Sequence, residues 1–496
     1  MSASELLVAG DTCATVVTAP RSGLLVDGRD FYSALYHALS RARKSIFMAG
    51  WQFASNVELL RGEDAAGAAL PTDFIGFLRA LCERNPELEI HLLAWDASPV
   101  FAFERQPLQK LTFHWRGHKR IHFLMDNCHP AGGSQHQKLV TVDRSIAFVG
   151  GMDICTGRWD DRAHEADDPR RVNGRKPYHP YHDVQAYLTG DAVDVLRAWF
   201  ADRWRLAGCA ALGSLDAPRE EVPIEPTLEI DAPAIGLSRT WPEMEACPLP
   251  QTRELRNLHL RALDTAERLI YIENQYVSCD EIERVLVQRM ERVGAPKLDI
   301  VIVLPDKSAG FKERVSIGVY QAKIMRTLGE AAARHGHHLG VYYQAARKAD
   351  GTDVPVFIHA KVLAVDDRFL LVSSANATNR SMSFDSELGV AWEDRVPNRS
   401  IRRARVELMR EHAGLGAEEA VRVLQSPDGL VDRLDALAHA RTHRLRIHKR
   451  NADEVPGPLL RRFVPDDPPF DPDHIEDLLP EPGAWLDKIF RKTSRR

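Results

Sequence analysis

No basic excess marks this chain of 496 residues: 65 Lys and Arg stand against 70 Asp and Glu, a formal charge of −5. A protein whose main task is gripping bulk nucleic acid usually carries the opposite balance, so that class is disfavoured. The seven cysteines are scattered, odd in number and without a CxxC pair, which excludes a disulfide framework and fits a reducing compartment. Apolar runs such as 298–304 are strand-length, far short of the roughly 18 residues a membrane span needs. No Lys or Arg precedes the apolar part of the opening stretch MSASELLVAGDTCATVV, so no secretory signal is expected and the mature chain is expected to be full length. Release by a route without a cleavable signal stays open. Neither GxGxxG nor GxxxxGK[ST] occurs, so no nucleotide cofactor is called for. What is present is ordinary: 44% hydrophobic and 27% charged residues describe a globular protein, and its length suggests roughly two to four domains.

The most informative feature is an internal duplication. Residues 34–53, ALYHALSRARKSIFMAGWQF, have a counterpart at 257–276, NLHLRALDTAERLIYIENQY. Each reads as an amphipathic helix, an apolar strand and a polar turn. Gln52 and Gln275 are 223 positions apart, and so are His136 and His359. In each half further strands are expected at 88–95 and 298–304, 138–142 and 361–365, 145–149 and 368–373, and 184–189 and 388–393. A helix closes each half at 191–205 and 399–412. Strands alternating with helices predict an α/β layer structure with a mostly parallel or mixed sheet, and near-continuous apolar strands predict sheets covered on both faces. The expected organisation is a first half over 1–216, a Pro-rich linker or crossover over 217–250, a second half over 251–415, and a helical extension with a Pro- and Asp-rich tail over 416–496. Prolines at 218, 223, 226, 233, 242, 248 and 250 motivate the linker, because Pro is unwelcome in helix interiors and central strands. The terminal WLDKIFRKTSRR reads as a solvated tail or as a basic amphipathic piece on a membrane surface.

The chemistry concentrates in two matched motifs. The first half runs His136-Gln-Lys138 to Asp143, then Gly150-Gly151-Met-Asp153. The second runs His359-Ala-Lys361 to Asp366, then Ser373-Ser374-Ala-Asn376. Both are HxKx4D, with Asp153 and Asn376 each 17 positions after the histidine. On a strand, the i, i+2 spacing puts His and Lys on one face, with their heads in the same solvent-facing space. An imidazole beside an ammonium is a poor metal site and a good anion site. One such motif is weak evidence; two in register with an independent duplication are strong. The dense histidines His335, His337 and His338 are better read as a solvated helix-to-strand loop than as a metal site. The run 110–120, KLTFHWRGHKR, fits a substrate-facing segment meeting headgroup phosphates or nucleic acid and an ordinary surface loop equally well.

These motifs resemble the paired HKD signature of the phospholipase D superfamily, and the resemblance extends over roughly residues 22–412. Ile270-Tyr-Ile-Glu-Asn-Gln-Tyr276, Gly157-Arg158-Trp159-Asp160, His182-Asp183-Val184 and Asp385-Ser386-Glu387 are similar to stretches of the eukaryotic-type phospholipases D, a subgroup also found in bacteria. The resemblance implies two homologous α/β/α sandwich halves with mixed sheets and an active site at their pseudo-twofold interface. Both motifs lie in one chain, so catalysis would not require a dimer. It implies His136 as nucleophile and His359 as general acid and base, with Lys138, Lys361 and Asn376 on the phosphoryl oxygens. It also implies a crossed support, Glu387 behind His136 and Asp183 behind His359, and structural roles for Asp143 and Asp366. Residue types alone leave the order of the histidines open. Asp153 departs from the Asn of many members and is expected to point away from phosphate or hold a neighbour. Ser373-Ser374 replaces a Gly-Ser pair, and the Ser hydroxyls are expected to remain able to bond phosphate.

The implied activity is cofactor-free and metal-independent hydrolysis of a glycerophospholipid of the phosphatidylcholine type to phosphatidic acid and the head alcohol, with transfer to other alcohols as shared chemistry. The implied partner is a phospholipid at a membrane surface rather than nucleic acid. A cytoplasmic or peripheral location, or delivery into another cell as an effector, is compatible. The alternatives are a cardiolipin-synthase-type phosphatidyltransferase, a nuclease using the same histidines, and a lipid-binding scaffold on a dead enzyme fold. The last predicts a lost His or Lys, and all four are present.

Overall fold

The computed structural model describes residues 6–96, 109–208, 211–212, 216–244, 247–307 and 317–449. The tail, including WLDKIFRKTSRR, lies outside the described residues.

Two mixed sheets, of eight and eleven strands among the described residues, repeat one seven-strand order. In the first sheet that order is Ser22–Val26, Val184–Thr189, Ile146–Gly150, Leu139–Val142, Ser45–Gly50, Glu89–Trp95, Ile121–Asp126. In the second it is Ala234–Trp241, Glu387–Glu393, Phe369–Ser373, Val362–Val365, Leu269–Glu273, Asp299–Val303, His338–Arg347. The last three of each run parallel and the remaining pairings are antiparallel, identically in both sheets.

The central strands are apolar and buried along their whole length, as in Ile146–Gly150 and Val362–Val365. Such strands are stable only when both faces are covered. The outer cover of the first sheet includes the helices Asp27–Leu39 and Phe74–Arg84; that of the second includes Glu254–Asp264, Asp280–Glu291 and Val319–His335. Helix Phe74–Arg84 starts where Asp73 accepts the Gly76 N–H at 2.9 Å, a side-chain N-cap. Between the sheets lie the helices Asp191–Leu206 and Arg399–Ala413, whose Leu196, Phe200, Ile401 and Leu408 join residues of both sheets in one apolar core. Burying each such side chain contributes about 1.5–3 kcal/mol, so the two halves are held as one body. Trp392 of the second half adds a buried hydrogen bond to Ser22 Oγ of the first, at 2.9 Å.

The Pro-rich segment departs from expectation. Ala234–Trp241, inside 217–250, is the second half's counterpart of Ser22–Val26 and pairs with Glu387–Glu393 from Ala234↔Glu393 to Thr240↔Glu387. Pro233 and Pro242 flank this strand rather than interrupt it, so no ladder hydrogen bond is lost. The N-terminal Thr15–Val17 pairs with the same strand, and the Leu6 and Leu7 N–H groups donate to Glu393. Residues 6–17, expected within the first half, therefore dock on the second. The strands Ile121–Asp126 and His338–Arg347 were not anticipated either, because their histidines and charges mask the apolar pattern.

Candidate active site

Both sheets present the ends of corresponding strands to the boundary between the halves. His136 and Lys138 lie just before Leu139–Val142, and His359 and Lys361 just before Val362–Val365, in backbone outside either strand. The histidine N–H groups are satisfied by the opposite half. The His136 N–H donates to Ser386 O at 3.0 Å, and the His359 N–H donates to His182 O at 2.8 Å. A bridge joins Gln135 to Ser386, and Tyr181–His182 pairs in parallel with Phe357–Ile358.

The residue after each accepting carbonyl carries the carboxylate. His136 Nδ1 lies 2.9 Å from Glu387 Oε2, and His359 Nδ1 lies 2.7 Å from Asp183 Oδ2. Each imidazole is thus held by backbone and ring from the other half. With Nδ1–H donated to a carboxylate, Nε2 keeps its lone pair. His136 is 18% exposed at its side chain and His359 9%, while Glu387 and Asp183 are fully buried.

The ammonium groups are buried rather than solvent-facing, contrary to the strand-face expectation, each turned onto polar groups of its own half. Lys138 Nζ donates to His136 O at 2.9 Å and lies 3.4 Å from Asp153 Oδ2. Lys361 Nζ donates to His359 O and to Gln275 Oε1, the latter at 3.4 Å. Burial pushes the Lys361 ammonium down to about 7, against the opposing pull of Asp183. Burial also raises the Asp183 carboxyl to about 6, against Lys361. Burial first, then the positive groups of Lys361, Arg158 and Lys138 with the neighbouring His136, hold His359 well below the usual histidine range. The residues of both motifs thus lie within electrostatic reach of one another, and this setting favours the neutral form of His359. The Tyr181 ring lies 5.5 Å from the His359 ring and carries the Arg158 guanidinium at 4.8 Å on its ring.

Asp153 is occupied by neighbours: besides Lys138, its Oδ1 accepts the Trp51 N–H at 2.7 Å. Ser374 Oγ donates to Glu387 and accepts the Leu388 N–H at 3.0 Å, so its hydroxyl proton serves the carboxylate and not phosphate. Ser373 Oγ accepts the Ala375 N–H at 3.2 Å. Asn376 sits half-buried, and its Oδ1 has no hydrogen-bond partner. Asp143 and Asp366 lie elsewhere, each in a left-handed turn with φ of 47° and 55°. Asp143 accepts the N–H groups of Arg43, Lys44 and Ser45, and Asp366 those of Glu267, Arg268 and Leu269, capping equivalent strand starts.

Gln275, Tyr181 and the carbonyls of Ser386 and His182 were not singled out as site residues, although they lie within or beside IENQ, HDV and DSE segments visible in the sequence. The His335–His338 run is not a solvated loop: His337 is buried, its Nδ1 accepting the Leu298 N–H at 2.9 Å and its Nε2 facing Met290 O at 3.0 Å. Within 110–120, residues up to Arg116 belong to a helix, Gln109–Arg116, with Phe113 buried and Trp115 76% exposed.

A two-half α/β body with a crossed pair of His–carboxylate couples at its seam is the class defined by this geometry, and comparisons with known proteins agree with the fold. The sequence model of a family described as "Cardiolipin synthase, PLD-like domain" matches residues 259–409. Phospholipase D alpha 4 of Arabidopsis thaliana is 24% identical, the match covering 78% of this chain and 64% of that protein. Phospholipase D A of Dictyostelium discoideum is 25% identical, covering 79% of this chain and 35% of that one. The chain thus spans about a third to two thirds of the length of these relatives. Among solved structures, the phosphatidylserine synthase of Haemophilus influenzae Rd KW20 shares the fold with a TM-score of 0.51 at 14% identity, covering 86% of this chain and 94% of that one. The family match and the relatives support the phospholipase D superfamily, and the chain has a fold of that kind. Among the described residues, no helix is long and apolar enough to cross a membrane.

Proposed function

We propose that the chain is a phosphodiesterase of the eukaryotic-type phospholipase D subgroup, acting on glycerophospholipids of the phosphatidylcholine type at a membrane surface. The observation that carries this is the crossed support: each histidine faces a buried carboxylate of the opposite half, with a buried lysine two residues away. A phosphodiester is an anion, and the two ammonium groups offset its charge as a nucleophile approaches. His136 Nε2 attacks phosphorus, the bond from phosphorus to the head-alcohol oxygen breaks, and His359 gives that oxygen a proton. His359 then takes a proton from water, whose oxygen displaces His136 and releases phosphatidic acid. An alcohol in place of water gives the transferred phosphatidyl ester. His359 is neutral in the free site; the negative charge of the bound substrate offsets the surrounding cations and favours the proton it must donate.

The deciding experiment is release of head alcohol and phosphatidic acid from defined vesicles by wild type, His136→Ala and His359→Ala, with ethanol present to trap transfer. Loss in both variants supports the scheme; full activity in either removes it. A second reading, a phosphatidyltransferase that favours transfer over hydrolysis, is favoured by the description of the matching family. Phosphatidyl ester accumulating with little phosphatidic acid, when a lipid hydroxyl acceptor is supplied, would select it.

A further inference from the structure

Behind Asp183, away from His359, lies a buried polar cage that the phosphodiesterase scheme does not use. Its donors come from four places: Asp27 at the start of helix Asp27–Leu39, His164 in the loop after the GRWD segment, His182 of HDV, and Glu411 of helix Arg399–Ala413. All four residues are at most 5% exposed. His182 Nδ1 lies 2.9 Å from Asp27 Oδ1 and 2.9 Å from Glu411 Oε1. His164 Nε2 lies 3.2 Å from Glu411 Oε1 and 3.3 Å from Asp27 Oδ2. Four residues thus close a ring through five atoms, Asp27 contributing both carboxylate oxygens. Asp27 Oδ2 is buried without a hydrogen-bond partner and faces that ring, held there by backbone with a φ of 67°.

Two further observations suit this ring to a metal ion. A ligating histidine nearly always donates its other ring N–H to a carboxylate. Here His164 Nδ1 lies 2.9 Å from Asp160 Oδ2, and His182 Nε2 lies 2.9 Å from Glu273 Oε2, so both rings aim their remaining nitrogen inward. The charges also leave room for a divalent cation. Asp27, Glu411, Asp160 and Glu273 are opposed by the guanidinium groups of Arg162, on Glu411, and Arg171, on Asp160. Four carboxylates against two guanidinium groups leave two negative charges, and an uncompensated buried charge is costly. One divalent ion, or two protons on the imidazoles, restores neutrality.

We propose that Asp27, His164, His182 and Glu411 form a structural site for a divalent transition metal of the zinc class. Bonds of about 2.0–2.2 Å in a tetrahedron place donor atoms about 3.3–3.6 Å apart; the contacts of 2.9–3.3 Å seen here are somewhat shorter, so the donors would spread slightly around an ion. Calcium demands about six to eight oxygen ligands at longer range and does not fit two nitrogens among four donors. Three ligands belong to the first half and Glu411 to the second. The ion would pin the halves together and fix the His182 carbonyl that receives the His359 N–H. It would not reach phosphorus, so the scheme above stands or falls separately.

The test uses the full chain as purified. Elemental analysis and native mass spectrometry are expected to find one zinc per chain. Metal removal is expected to lower the melting temperature, added zinc to restore it, and cobalt(II) to produce the visible bands of a four-coordinate site. Asp160→Asn, which alters only the outer carboxylate, is expected to weaken zinc binding by about 10–100-fold, and His164→Gln to abolish it. If His164→Gln fails to fold, the cobalt spectrum of the wild type decides. Substoichiometric zinc, no cobalt bands and an unchanged melting temperature in chelator would overturn the proposal and leave the ring held by two protons. Zinc binding that His164→Gln leaves intact would overturn it equally.

Discussion

Asp183 Oδ2 lies 2.7 Å from His359 Nδ1 across the seam of the molecule, although 176 residues separate them in the chain. The preceding carbonyl, His182 O, accepts the His359 backbone N–H. Glu387 and Ser386 treat His136 in the same way. A histidine so held has one tautomer and one orientation, which a nucleophile or proton donor requires.

The carboxylates are therefore expected to matter almost as much as the rings. Asp183→Asn and Glu387→Gln keep size and burial but remove the charged acceptor for Nδ1–H. Each is expected to lower kcat by about 10³–10⁴-fold while the melting temperature changes little. Steady-state kinetics beside thermal unfolding checks this; kcat within a few-fold of wild type would show that the crossed pairs are only structural.

Activity should be confined on both sides of neutrality. The Asp183 carboxyl gains its proton as pH falls through about 6, which removes the charged partner of His359. The Lys361 ammonium loses its proton as pH rises through about 7, which removes a positive charge facing phosphate. The expected kcat/KM profile is a narrow bell whose limbs belong to the interacting set rather than to either group alone. Lys361→Arg keeps a cation at all working pH values and is expected to flatten the alkaline limb. An unchanged limb in that variant would remove Lys361 as its source.

Asp143 and Asp366 predict stability rather than chemistry. Each accepts three backbone N–H groups from a residue with positive φ. Asp143→Ala or Asp366→Ala strands those donors and strains the turn, at a cost of about 3–5 kcal/mol. Asp366→Asn, which tolerates the left-handed turn and keeps one acceptor oxygen, is expected to cost less. Denaturant unfolding measures both. Equal stabilities would argue that the three hydrogen bonds contribute nothing.

Asp153 is poised to weaken substrate binding, because its Oδ2 faces Lys138 Nζ at 3.4 Å. Asp153→Asn retains an acceptor for the Trp51 N–H while removing a negative charge from a site for anions. KM is expected to fall a few-fold with little change in kcat or melting temperature. Asp153→Ala, which leaves the Trp51 N–H without its partner, is expected to destabilise by about 1–3 kcal/mol. A raised KM in Asp153→Asn would instead show that the carboxylate positions Lys138.

The sequence alone established the duplication, through the shared spacing of Gln52 with Gln275 and His136 with His359, and the repeated succession of strands and helices. These are local or periodic signals, set by apolar patterning and by residue types at fixed intervals. It could not reveal that Ala234–Trp241 is a buried strand, because Pro233 and Pro242 look alike whether they interrupt a strand or bracket it. Nor could it show that Ser374 serves Glu387, that His337 is a core residue, or that Asp27, His164, His182 and Glu411 meet. Those facts depend on contacts between segments distant along the chain, and pairing of that kind is decided only when two sheets close over a common core and buried donors and acceptors must find partners from whichever segments the fold brings beside them.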